Sequence, residues 1–141
     1  INQESEVQTM VKKVAFINGK GGCGKTTSIF HVCGVLAQKG EKVLVIDLDK
    51  QRNTTDTLLM NNEDRPEKTV LDFFRGNAEA DEVTAKALFQ TRGNAKSKYF
   101  GVDCMSSDVD LQDEAKLADI DGEAVKDKVI HGFWWICHQV T

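Results

Sequence analysis

Gly19-Lys20-Gly21-Gly22-Cys23-Gly24-Lys25-Thr26-Thr27 is the stretch that decides how this chain is read. It satisfies the pattern G-x-x-x-x-G-K-[ST], in which backbone N–H groups, a lysine ammonium and a hydroxyl enclose a polyphosphate. Glycines suit such a turn because the backbone must approach the ligand closely, at φ values that a Cβ disfavours. Successive N–H groups then form an anion-binding nest at the positive end of the following helix. Gly21, Gly22, Cys23, Gly24, Lys25, Thr26 and Thr27 are therefore the candidate phosphate-binding residues. Lys25 would set its charge against the β- and γ-phosphates, and Thr26 would offer its hydroxyl to Mg²⁺.

The flanks have the order this motif needs. Lys13-Val14-Ala15-Phe16-Ile17 is a short apolar run that predicts a buried strand before the turn. After it, Ile29, Val32, Cys33, Leu36 and Ala37 fall on one face of a helix. Gly40 stands where a glycine would end that helix. Strand, glycine turn and helix together predict nucleotide binding by an α/β domain.

Lys20 adds a further feature, since Lys20-Gly21-Gly22-Cys23-Gly24-Lys25-Thr26-Thr27 fits K-G-G-x-G-K-[ST]-T. This resembles the deviant Walker A motif of the ParA/MinD/Soj ATPases, whose cousins include the nitrogenase iron protein and the arsenite-pump ATPases. The resemblance implies a P-loop NTPase fold, a three-layer αβα arrangement around a mostly parallel sheet. It also implies a catalytic role for Lys20, reaching across an ATP-sandwich dimer to the partner's phosphates as an arginine finger does in trans.

A second informative stretch runs from Lys42 to Thr55. Val43 to Ile46 is a continuous apolar run suited to a parallel strand covered on both faces. Asp47 stands at its carboxyl end, where open α/β sheets place ligand sites, and Asp49 follows two residues later. Paired carboxylates there can hold Mg²⁺ through its waters and orient an attacking water. The resembling family reads D-x-D-P-Q-x-N, matched here by Asp47, Asp49, Gln51 and Asn53, with Lys50 in place of proline and Arg52 in place of glycine. By that resemblance Asp47 supports the Mg²⁺ shell, as does Thr26, and Asp49 positions the hydrolytic water. Taken alone, Asp49 also suits a solvated turn or a helix N-cap for a segment from Thr54 to Met60.

The remainder reads as scaffold. Thr69 to Gly76 has a capping-box start and a glycine stop, predicting a short helix with Leu71 and Phe74 against the sheet. Asp81 to Gln90 reads as a weaker helix, and Thr91 to Lys98 as a polar loop whose basic residues are solvated. Tyr99 to Met105 predicts a third strand leading into Ser106-Ser107. A helix then carries Leu111, Ala115 and Ala118, and another carries Val125, Val129 and Ile130. The family next shows an apolar strand ending in aspartate, the Walker B element. The later apolar run here, Gly132 to Cys137, leads into His138, so the domain reads as truncated before the Walker B strand. Trp134 and Trp135 suit packing better than base stacking, and Cys137-His138 lacks the companions a metal site needs.

The chain has 141 residues, 18 basic and 22 acidic, for a net charge of −4. That length allows one domain with a core, and that balance lacks the basic excess that would itself point to nucleic acid. No run approaches the ~20 apolar residues of a membrane span, and the opening residues show no charged-then-apolar leader. Four cysteines without C-x-x-C spacing argue against a metal cluster or disulfide framework. The chain reads as cytoplasmic, with residues 1–12 an N-terminal extension and 13–141 a partial ParA-like P-loop domain. The resemblance implies ATP and Mg²⁺ as ligands, an ATP-dependent homodimer, nonspecific DNA and a ParB-like partner, with ATP hydrolysed to ADP and phosphate in plasmid or chromosome partitioning. The alternative is a truncated relative that binds nucleotide phosphate without significant hydrolysis and acts as an interaction module.

Overall fold

The computed structural model describes residues 12–17, 22–125 and 127. Its elements are helix α1 (Lys25–Gln38), strand β1 (Val43–Ile46), helices α2 (Asn53–Leu58) and α3 (Val70–Arg75), strands β2 (Thr84–Gln90) and β3 (Ser97–Met105), and helix α4 (Glu114–Leu117). Short 3₁₀ turns cover Asp81–Val83 and Val109–Gln112.

The strands form one sheet in the order β1-β3-β2. β1 pairs parallel with β3, Val43 opposite Val102 and Ile46 opposite Met105, while β2 pairs antiparallel with β3. The described sheet is thus mixed. Its two faces follow the period-2 rule of a pleated strand. Val45, Ala85, Ala87, Val102 and Cys104 point to one side, where Cys33 of α1 and Leu58 of α2 pack on them. Leu44, Ile46 and Met105 point to the other, against Val70 and Phe73 of α3 and Val83. Helices on both faces give the three αβα layers that the resemblance implies.

The termini of the helices follow local chemistry. α1 ends in a Schellman motif, in which Gly40 N donates to Ala37 O and Glu41 N to Leu36 O. α3 opens with the predicted capping box: Leu71 N donates to Thr69 Oγ1 and Thr69 N to Asp72 Oδ2. Leu71 and Phe73 are buried there and Phe74 is half-buried.

Three expectations change. Residues 12–17 form no strand; Val14 and Ile17 are 76% and 90% exposed. A buried parallel strand needs neighbours as well as an apolar run, and among the described residues none pairs with this segment. Asp81–Gln90 is not a helix but a 3₁₀ turn followed by β2. Its alanine, lysine and leucine favour helix, but pairing with β3 buries Ala85 and Ala87 and overrides that preference. The single helix expected around Leu111 to Ala118 is two pieces, because extended Asp113 caps the second piece through Ala115 N and Lys116 N. The expectations for Val129, Ile130 and residues 131–141 lie outside the described residues.

On the α3 face of the sheet, Tyr99 Oη donates to the buried Asp103 carboxylate at 2.9 Å. Lys42 and Lys86 place Nζ 5.4 and 5.1 Å from the Tyr99 ring centre. Burial, then the Asp103 carboxylate, pushes the phenol up to about 12 from 10.0. Folding therefore favours the protonated phenol. Its contribution to stability is complete below pH 10 and is lost as pH rises through about 12. Tyr99 is the sole tyrosine, so absorbance titration of phenolate reads it directly. The expected native midpoint is about 12, returning toward 10 in denaturant and part of the way in Asp103→Asn; a native midpoint at 10 would refute the arrangement.

Candidate functional site

The site lies where the start of α1 meets the carboxyl end of β1. Gly22 and Gly24 hold φ of 73° and 85°, the left-handed region that favours glycine, and a Cβ built on either meets nothing within 4 Å. The turn therefore presents open backbone at the helix start, where first-turn N–H groups have no intrahelical acceptor. Gly24 is the N-cap of α1 without a side-chain cap, and the first turn carries no acidic residue. Such a helix start is suited to an external anion. Cys23 between the glycines is exposed. Gly19, Lys20 and Gly21 lie outside the described residues.

Asp49 faces this turn. Lys25 Nζ is 3.6 Å from Asp49 Oδ2, with both side chains about one-third exposed. A pair that open to water contributes at most about 1 kcal/mol, so it yields readily to a polyphosphate. Thr26 Oγ1 lies 3.4 Å from Thr54 Oγ1 at the start of α2. Thr27 is exposed in the first turn of α1. The described structure thus brings Lys25, Thr26, Asp47 and Asp49 into one region, with Gly22 to Gly24 above the helix start.

Asp47 is 5% exposed. Its Oδ1 accepts from Asp49 N at 3.0 Å; its Oδ2 accepts from Thr55 N at 2.8 Å and from Thr55 Oγ1 at 2.7 Å. A carboxylate offers about four lone-pair positions, so one remains after these three bonds. That suits Mg²⁺, which keeps most of its waters and takes few protein ligands. Among the described residues no cluster of three or more His, Cys, Asp or Glu forms a metal cage. The donor set fits a magnesium ion held chiefly by phosphate oxygens.

Thr55 and Ser107 escaped the sequence reading. Thr55 Oγ1 also accepts from Ser107 N at 2.9 Å, and Ser107 Oγ donates to Asp49 O at 2.6 Å. Both residues are fully buried. Ser107 is 52 positions from Thr55 in the chain, and no local spacing signals the contact.

Asp49 is not a helix cap: its Oδ1 accepts from Gln51 N and its carbonyl from Arg52 N, closing the turn, while the N-cap of α2 is Arg52. Arg52 has φ 59° and ψ 18°, the one left-handed non-glycine among the described residues. That conformation favours glycine, and holding an arginine in it costs roughly 1–2 kcal/mol.

Elsewhere near the site, burial pushes the Cys33 thiol up, and burial followed by the Asp47 charge pushes Cys104 to about 12. Among the described residues no helix is long and apolar enough to cross a membrane.

A glycine turn opening a helix, its lysine beside a carboxylate just past a strand end inside an αβα sandwich, defines the class of P-loop NTPases. The profile of the AAA domain family AAA_31 matches residues 11–127, and the chain belongs to that family, with the ParA/MinD-type P-loop ATPases. The chromosome-partitioning ATPase Soj of Thermus thermophilus is 42% identical over 52 residues, 37% of this chain and 21% of its own. The septum site-determining protein MinD of Buchnera aphidicola is 35% identical over 104 residues, 67% of this chain and 38% of its own. Cobyrinic acid a,c-diamide synthase from Mycobacterium smegmatis, solved with bound ADP and magnesium, superposes with a TM-score of 0.59 at 27% identity. It covers 82% of this chain and 43% of its own. The chain spans less than half the length of each of these relatives.

Arg52→Gly is expected to raise the unfolding free energy by about 1 kcal/mol, the strain released less the extra freedom of the unfolded chain. Urea unfolding of the two proteins checks it, and a fall in midpoint would show that the arginine side chain stabilises the turn.

Proposed function

We propose that this chain binds Mg-ATP in the Gly19–Thr27 turn, dimerises on binding, and hydrolyses ATP to ADP and phosphate as a partitioning ATPase. The observation that carries the reading is the 3.6 Å approach of Lys25 at the start of α1 to Asp49 beyond β1. It sets the phosphate-binding lysine against the carboxylate suited to orienting water. The relative solved with ADP and magnesium supports the ligand, and the partitioning relatives support the role.

In this reading Gly21 to Thr27 bind the phosphates, and Lys25 leaves Asp49 for their charge. Asp49, freed of its partner, aligns a water with the γ-phosphate by accepting its hydrogen bond. Thr26 and Asp47 would hold magnesium, the latter through a water on its remaining lone pair. When bound, magnesium neutralises charge on the phosphate oxygens. Lys20 is assigned the trans contact across the dimer, as in the deviant Walker A motif. Nonspecific DNA and a ParB-like protein are the partners that go with this role, and the cytoplasm is its compartment.

Lys25→Ala is expected to weaken Mg-ATP binding by about a hundredfold or more, the consequence of removing one partner of a close charge pair. Calorimetry that gives equal affinities for both proteins rejects the loop assignment. Lys20→Ala should leave ATP affinity within about twofold yet lower ATP-dependent dimerisation, since its contact lies across the dimer. Light scattering that shows wild type and variant dimerising alike on ATP would remove the trans role.

A further inference from the structure

We infer that Ser107 is a positioning residue for the magnesium-facing carboxylate turn, an inference that rests on the Mg-ATP reading above. The turn from Asp47 to Thr55 is held locally at both ends. Asp47 accepts from Asp49 N and from Thr55 N and Oγ1. Those bonds fix the ends relative to each other; toward the sheet, Asp47 N donates to Met105 O of β3 at 3.3 Å.

Ser107 adds the ties farther along the turn. Its N–H donates to Thr55 Oγ1 at 2.9 Å and its hydroxyl donates to Asp49 O at 2.6 Å. One fully buried residue therefore grips the turn at both of its working points. Thr55 Oγ1 accepts from Ser107 while donating to Asp47, so the two bonds polarise one another. Ser107 is itself fixed, since it lies two residues beyond Met105, the last residue of β3. Its neighbour Ser106 accepts from Val70 N through its carbonyl, which anchors the segment to the start of α3. Asp108 Oδ2 accepts from Thr69 Oγ1 at 2.6 Å on the other side.

The geometry assigns the two bonds different jobs. The backbone bond to Thr55 survives any side-chain change and keeps the fold of the turn. The hydroxyl bond sets the height of the Asp49 peptide, and with it the direction of the Asp49 carboxylate and of the Asp47 oxygen that receives Asp49 N. Removing the hydroxyl should therefore affect the magnesium-dependent part of nucleotide binding. The phosphate grip of Gly22 to Thr26, on a different segment, should stay as it is.

The test is calorimetric titration of the intact chain with ATP, once with Mg²⁺ and once with EDTA. Ser107→Ala should lose about five- to tenfold in Mg-ATP affinity, the usual effect of one hydrogen bond, with the EDTA value unchanged. Ser107→Thr, which keeps the hydroxyl, should restore it. Ser106→Ala, an equal truncation one residue away, should match wild type. Without nucleotide, hydrogen exchange at the Asp49 and Thr55 amides should accelerate by a similar factor in Ser107→Ala. Ser107→Cys, near-isosteric and a weak donor, carries the same expectations if the alanine variant does not fold. Equal Mg-ATP affinities in wild type and Ser107→Ala would overturn the inference alone. So would equal losses with Mg²⁺ and EDTA, or equal losses in Ser106→Ala, which describe general destabilisation. Wild type that binds no ATP in either buffer would overturn the Mg-ATP reading itself, and this inference with it.

Discussion

A single side chain, the Asp47 carboxylate, holds the functional end of this molecule together. At 5% exposure it has almost no water to serve its oxygens, and a carboxylate so placed needs protein donors. Three come from Asp49 and Thr55. They bend the chain back at the end of β1 and set the first turn of α2 beside the start of α1. Through Thr55 and Ser107 the same group is joined to the end of β3. The start of α1 meets that junction through Thr26 and Lys25, while Cys33, Ile29 and Ala37 pack the helix on the sheet.

The parts legible in the sequence were those whose physics is local. The glycines at 22 and 24, the capping box at Thr69 and the stop at Gly40 each depend on a few neighbouring residues, and each is found as read. The apolar run of β1 was equally plain, since a strand covered on both faces needs continuous hydrophobicity, whereas β3 begins at Ser97, inside the stretch read as a polar loop. Thr84–Gln90 was not legible, because its strand state comes from a partner, β3, and its own residues prefer helix. The run at 13–17 erred the other way: its composition suits a strand, and composition does not supply a neighbour. Lys25, Thr26, Asp47 and Asp49 were picked out by motif, and the fold places Lys25 beside Asp49 and Thr26 beside Thr54. Ser107 was not, since a serine following a strand carries no spacing that points across half the chain.

Membership in the AAA_31 family and the fold shared with a nucleotide-binding synthase make the phosphate loop the natural centre of function. Arg52 holds a left-handed turn that favours glycine. A turn maintained against roughly 1–2 kcal/mol of strain is held by something outside itself. The bonds from Ser107 to Thr55 Oγ1 and Asp49 O supply such support from outside the turn.

The cysteines divide along the same boundary. Cys33 and Cys104 are sealed in the core beneath the sheet, their thiols shifted upward and thus poorly nucleophilic, whereas Cys23 stands exposed between the two left-handed glycines. Among these three, an alkylating reagent offered to the folded chain meets Cys23 first. The thiol occupies the very turn assigned to the phosphates, so the rate at which a maleimide couples there reports directly on whether the turn is covered.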